Sequence, residues 1–207
     1  MTHSILRLVF ILFLVIKPLS AAAENTILIL GDSLSAAYGL QQDQGWVKLL
    51  QDKYDDEKSD ITLINASISG ETSGGALRRL DAILKQYKPS YVLIELGAND
   101  GLRGFPVKKM QENLTALIQK SQAANAKTAL MEIYIPPNYG PRYSKLFTDT
   151  FSKISEQTNS HLMHFFMLNI AGKSDLMQKD GLHPNKHAQP IIRDEMYKAI
   201  NTWINKN

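Results

Sequence analysis

The sequence predicts an α/β fold: a mostly parallel five-stranded sheet with helices on both faces. Short apolar, β-branched runs alternate with amphipathic stretches five times along the chain. Each connection is long enough to carry the helix that a parallel crossover needs. No internal repeat, low-complexity tract or linker breaks the alternation after residue 23. The loops after the first three strands therefore gather at one edge of the sheet, the carboxyl edge, where open α/β sheets bind ligands.

The elements follow in order. Strand one is expected over 26–30 and ends in Gly31-Asp32-Ser33, a tight turn that presents a serine hydroxyl just past the strand. A helix over 44–53 carries Trp46, Val47, Leu49 and Leu50 at helical spacing. Strand two, 61–64, runs into a loop ending at Gly70. Thr72 is a candidate cap for a helix reaching Tyr87, with Leu77, Leu80, Ile83 and Leu84 on one face. Strand three, 91–96, ends in Gly97-Ala98-Asn99-Asp100. A helix over 107–124 and strand four over 128–133 follow. Prolines make 136–141 a loop. A helix over 145–159, strand five over 162–166 and a closing helix over 189–204, starting near Pro190, complete the chain.

The first 23 residues stand apart. His3 and Arg7 lead into the apolar run 8–16, and Leu19-Ser20-Ala21-Ala22-Ala23 supplies small residues at its end. These are the parts of a secretory signal peptide. Lys17-Pro18 breaks the run before the roughly 20 residues that a spanning helix requires, so a membrane anchor is not expected. The expected organisation is a signal peptide over 1–23 and a single domain over 24–207. Cleavage would remove Arg7 and Lys17 and no acid, leaving 21 basic against 20 acidic residues and a net charge of +1 in place of +3. With only Arg78-Arg79 and Lys108-Lys109 as basic pairs, both on expected helices, nucleic acid is not an expected partner. The chain has no cysteine, which excludes thiol nucleophiles and thiolate metal sites. Hydrophobic residues make up 44% of it, so composition does not predict disorder.

Ser33 is the candidate nucleophile. A serine hydroxyl needs a base, sought first among the histidines. His161 and His164 flank strand five and His187 opens the last helix, but His183 lies in Asp180-Gly181-Leu182-His183-Pro184-Asn185. An acid and a histidine three residues apart can meet across one turn, which fixes the ring and leaves its other nitrogen for the serine. Acyl transfer also needs donors for an oxyanion. Gly70 allows close approach to its backbone N–H, Asn99 offers a side-chain NH₂, and the Ser33 N–H is a third donor. Each part also has a plainer reading. The serine turn, Gly70 and Asn99-Asp100 can be ordinary loop and cap residues, and Asp180 with His183 can be a surface ion pair or two metal ligands. Their placement at three strand ends, followed by a late Asp-x-x-His, favours the catalytic reading.

GDSL at 31–34, the glycine of ASISGETS at 70, GAND at 97–100 and DGLHPN at 180–185 resemble the four sequence blocks of the SGNH/GDSL hydrolases. The longer segments NASISGETS, ELGANDGLRGF, MEIYIPPNYGPRY and DGLHPNKHAQP are similar to a periplasmic Gram-negative subgroup with acyl-CoA thioesterase, lysophospholipase and protease activities, over essentially the whole mature chain. The resemblance implies a three-layer flavodoxin-like fold with strand order 2-1-3-4-5. It implies Ser33 as nucleophile, Asp180 and His183 completing a triad, Gly70 and Asn99 as oxyanion donors, and no metal or organic cofactor. Ala98 stands where a second glycine is common in the subgroup.

The expected function is hydrolysis of acyl esters and thioesters, lysophospholipids among them, by a periplasmic monomer. A carbohydrate or acetyl esterase is the alternative within hydrolases, and a non-catalytic lipid-binding protein is the alternative outside them. The loops 101–105 and 134–143 are apolar and aromatic, which favours an acyl chain and makes Leu102, Phe105, Ile135 and Pro136 candidate substrate-binding residues. Two glycines bracket Leu102-Arg103, so 101–105 is expected to close over a bound chain. The rival expectation is a rigid loop that supports Asn99.

Overall fold

Five parallel strands make one sheet: β1 (Asn25–Gly31), β2 (Ile61–Asn65), β3 (Tyr91–Glu95), β4 (Lys127–Met131) and β5 (His161–Met163). The computed structural model describes residues 25–206, so the expected signal peptide lies outside the described residues. The strand order is β2-β1-β3-β4-β5, as expected. The central strands are covered on both faces, which is why Ile27 to Leu30 and Val92 to Ile94 read as unbroken apolar runs and show no exposed surface. Among the described residues, six α-helices surround the sheet: α1 (Trp46–Asp56), α2 (Ser73–Tyr87), α3 (Ala98–Leu102), α4 (Val107–Ala123), α5 (Pro141–Thr158) and α6 (Gln189–Asn205). α1 packs on α6, while α2, α4 and α5 pack in sequence on one another. Thr72 caps α2 as expected, its hydroxyl accepting from the Gly75 N–H at 3.2 Å.

Four expectations need correction. The first helix begins at Trp46, because Gln42–Gln44 form a separate 3₁₀ turn. α5 begins at Pro141 rather than 145, since proline at the first helical position lacks only an N–H that would have no partner there. β5 ends at Met163; beyond it the chain turns into a 3₁₀ segment, Phe166–Asn169. Residues 98–102, read as loop, form the short helix α3, entered through Gly97 at φ +120°. A side chain at Gly97 would also meet the Phe151 ring, its Cβ 3.0 Å from Cζ.

Candidate active site

β1 delivers Gly31 at the end of its pairing with β3, directly opposite Glu95. Asp32 then closes the turn. Its Oδ1 accepts from the Leu34 N–H at 3.0 Å and its carbonyl accepts from the Ala36 N–H at 2.9 Å. This fold-back leaves Ser33 at the apex.

A second turn approaches from the loop before α6. Gln178 N–H donates to the His183 carbonyl, Asn185 N–H donates to the Leu176 carbonyl, and Met177 bridges Pro184. Within this frame Asp180 Oδ1 accepts from the N–H groups of Leu182 and His183, both at 3.0 Å, and Gly181 takes φ +67°. The other oxygen, Oδ2, lies 2.6 Å from His183 Nδ1, and His183 Nε2 lies 2.9 Å from Ser33 Oγ. An ionised carboxylate only accepts, so Nδ1 carries a proton and Nε2 is left to accept from the serine. Burial acts to raise the Asp180 carboxyl. The hydrogen bonds from the His183 ring and from the two backbone N–H groups outweigh it and hold the group at about 2. The Tyr38 ring lies against the imidazole with centroids 4.3 Å apart. Gln178 ties the two turns together, its Nε2 donating to the carbonyls of Tyr38 and Pro184. His161, His164 and His187 take no part; His164 faces Glu132 at 3.8 Å.

Beneath the serine turn lies a buried acidic pair that sequence reasoning missed. Glu95 is fully buried, and its Oε2 accepts from Ser35 Oγ at 2.9 Å and from the Asp32 N–H at 3.3 Å. Burial, with the nearby Asp32 charge, pushes Glu95 well above the ordinary carboxylate range. Burial also pushes Asp32 up to about 6, against the lowering effects of the Leu34 N–H, the His183 charge and the Asn99 amide. Gly31 is required here: a Cβ would lie 2.7 Å from Glu95 Oε2 and 2.9 Å from Ser67 Oγ. The signal was present in the sequence as one acid inside the apolar strand-three run YVLIEL.

Asn99 is on α3, and its Nδ2 donates to Asp32 Oδ2 at 2.9 Å, which orients the amide and leaves a second N–H. Gly70 takes φ +76°, and its carbonyl accepts from Arg103 Nη2 at 2.9 Å. Among the described residues, the N–H groups of Ser33 and Gly70 donate to no protein acceptor. Asp100, beside Asn99, is buried and accepts from the Ser73 N–H and hydroxyl at 2.8 and 2.6 Å, which joins α3 to the start of α2.

A cavity of about 480 Å³ opens beside Ser33, Asn99 and His183. Leu102, Ile135 and Pro136 line it, whereas Phe105 and Gly70 are not among its walls. Its wall is completed by apolar residues that the sequence reading did not link to a substrate, Phe165, Met167, Leu168 and Met177. The segment after Asn99 is held in place. Tyr139 Oη donates to the Leu102 carbonyl at 3.0 Å, Arg103 is tied to Gly70, and Phe105 N–H donates to the Asp100 carbonyl at 2.9 Å. Gly101 packs so closely on Phe147 that a Cβ would lie 2.7 Å from its ring. These ties favour the rigid support over the closing lid.

The chain is 46% identical over 194 residues to thioesterase 1/protease 1/lysophospholipase L1 of Escherichia coli K12, covering 94% of this chain and 92% of that protein. It is 45% identical over 184 residues to an arylesterase of Vibrio mimicus, covering 89% and 92%. Among solved structures it is similar to the psychrotrophic esterase EstA of Pseudoalteromonas sp., inhibited by monoethylphosphonate. That match has a TM-score of 0.87 and 82% identity, over 87% of this chain and 99% of the other. Residues 29–189 match the GDSL-like lipase/acylhydrolase family, a span running from the middle of β1 to the first residue of α6 and so holding both turns of the site. With this span and relatives of such identity, the chain belongs to the GDSL-like lipase/acylhydrolase family.

Proposed function

We propose that Ser33, His183 and Asp180 are the triad by which this serine hydrolase cleaves acyl esters and thioesters. The observation that carries the reading is the unbroken line of hydrogen-bonding distances from Ser33 Oγ to Nε2, through the imidazole, to Asp180 Oδ2. Ser33 Oγ attacks the acyl carbonyl while Nε2 takes its proton. Asp180 holds the ring and stabilises the imidazolium. The carbonyl oxygen becomes an oxyanion, for which the Ser33 and Gly70 N–H groups and the second N–H of Asn99 are the donors. The imidazolium returns its proton to the departing alcohol or thiol, and an acyl-serine remains. Water, deprotonated by His183, then adds to the acyl carbon; the acyl–Oγ bond breaks as His183 returns the proton to Ser33 Oγ, and the acid is released.

The apolar wall of the cavity supports an acyl chain over a sugar as the bound moiety, with Leu102, Ile135 and Pro136 as contacts and lysophospholipids among the substrates. The thioesterase, lysophospholipase and arylesterase names of the relatives support the same range. A monoethylphosphonate that inhibits the Pseudoalteromonas esterase has the tetrahedral shape that a serine oxygen would meet in such a reaction. We further propose a chain exported to the periplasm and cleaved after Ala23, from the basic, apolar and small-residue segments of its first 23 residues. Among the described residues no helix is long and apolar enough to cross a membrane.

Kinetics on p-nitrophenyl esters, acyl-CoAs and lysophospholipids test the triad. Ser33→Ala and His183→Ala should each lower kcat by about 10⁴ or more on every substrate. Wild-type rates in either variant would refute the assignment. N-terminal sequencing of the mature protein should begin at or near Glu24; a chain beginning at Met1 would contradict export with cleavage.

A further inference from the structure

Ten large hydrophobic side chains among the described residues are more than a third exposed, and their placement is uneven. Tyr87, the last residue of α2, lies at the amino edge of the sheet. Seven others stand in the loops at the carboxyl edge, around the mouth of the active-site cavity. Tyr134, Leu168 and Leu182 line the cavity, yet 42%, 53% and 46% of their surface faces solvent. Tyr38 rests on His183 and is still 48% exposed. Ile68, whose N–H donates to the Gly31 carbonyl, is 49% exposed. Phe105 and Tyr139 flank the Leu102 wall. Leu146 and Ile191 extend the rim onto the early turns of α5 and α6. A concentration of this kind on one rim marks an interaction surface.

The charges around the rim say what kind of surface meets it. Lys108, Arg142, Lys173, Lys179 and Lys186 are exposed there, and among the described residues they form no ion pair. The Arg103 guanidinium is taken by a carbonyl rather than an acid. The exposed acids of the same loops without an ion pair are Asp43 and Asp175. The net potential of the rim is positive. Two copies meeting rim to rim would bring like charges together, whereas an anionic layer would neutralise them.

We propose that this rim docks the mouth of the active site onto an anionic phospholipid surface. The tyrosines sit at headgroup level, where rings with one wet end are favoured, and Leu168 and Leu182 enter the acyl boundary. The five cations take the anionic headgroups. An ester-linked chain then passes from the lipid layer into the cavity without crossing water. Only this last consequence rests on the proposed triad; the docking does not.

The test separates binding from catalysis by using the Ser33→Ala protein, which leaves the lipid intact. It is pelleted with vesicles of phosphatidylcholine alone, or with about one-third phosphatidylglycerol. The expected result is at least about tenfold tighter partition onto the anionic vesicles, lost on raising salt to about 0.5 M. Lys108→Gln and Lys173→Gln should each weaken partition about fivefold, and Leu146→Ser should weaken it severalfold. Tyr87→Ser, at the opposite edge, should leave it unchanged. In the Ser33-containing enzyme the two lysine variants should keep wild-type kcat/KM on a soluble short-chain ester. Equal partition onto neutral and anionic vesicles, no response to the rim variants, or an equal response to Tyr87→Ser would overturn the proposal. So would a concentration-dependent dimer, seen by sedimentation, that binds neither vesicle.

Discussion

Glu95 and Asp32 place two carboxyls under one serine turn, and both are pushed toward the protonated form by burial. A neutral Glu95 carries no buried charge and still offers Oε2 to Ser35 and to the Asp32 N–H. Glu95→Gln should therefore keep both acceptor contacts, and chemical denaturation should find its stability within about 1 kcal/mol of wild type. Glu95→Leu removes the acceptor from two buried donors and should cost about 1–3 kcal/mol for each. Equal losses in the two variants would show that the charge, not the acceptor, matters. Asp32 has a folded value near 6 against 3.8 for the ordinary group, so the folded chain binds more protons between those values. Its contribution to stability is thus greatest at low pH and falls as pH rises from about 4 to 6. Asp180 has the opposite sign: its stabilising effect is present above 3.8 and is lost as pH falls toward 2. With more than a third of its side chain exposed, solvent screens that effect. Melting temperatures from pH 4 to 6 should fall less steeply in Asp32→Asn than in wild type. An unchanged slope would remove Asp32 as the cause. The same substitution places an NH₂ where the Asn99 amide now donates, so kcat should also drop, by up to about 10².

α3 and the loop after it connect the proposed oxyanion donors Gly70 and Asn99 to the rest of the fold. Gly101 is closed in by Phe147, Leu102 is held by Tyr139, and Arg103 holds Gly70. Gly101→Ala should destabilise the protein by about 1–3 kcal/mol through overpacking, measurable as a lower midpoint in urea. Arg103→Ala frees the Gly70 peptide and should lower kcat/KM alike for acetyl and long-chain esters, by up to about 10². Phe105→Ala should change neither end of that series. A selective loss on long chains in Phe105→Ala would restore the closing lid. None of these ties was legible in the sequence, because each joins residues far apart in the chain. Where the signal is local the elements were readable: the unbroken apolar runs of β1 and β3, and the Thr72 cap of α2. Pro141 carried a local signal too, but as a helix start rather than a loop residue. Strand five was read too long because Phe165 and Phe166 are apolar, and the 3₁₀ turn that buries them has no period of its own.

The whole molecule works as a sheet that brings distant segments to one edge. Ser33 follows β1, Gly70 follows β2, Asn99 follows β3, and the Asp180–His183 turn comes back from the far side of β5. The alternation of strands and helices was enough to place the first three together. The three-residue spacing was enough to pair the acid with the histidine. The strand order came from the four sequence blocks, not from periodicity. That residues 165–177 wall the cavity was not legible, since nothing in their composition says which way they face. On the proposed triad, Ser33 is the strongly activated hydroxyl among the described residues. Labelling with a fluorophosphonate, followed by mass mapping of the modified peptide, tests this. A single adduct should appear on Ser33, be absent from Ser33→Ala and form far more slowly in a folded His183→Ala. An adduct on another residue, or labelling of Ser33→Ala at the wild-type rate, would contradict the account.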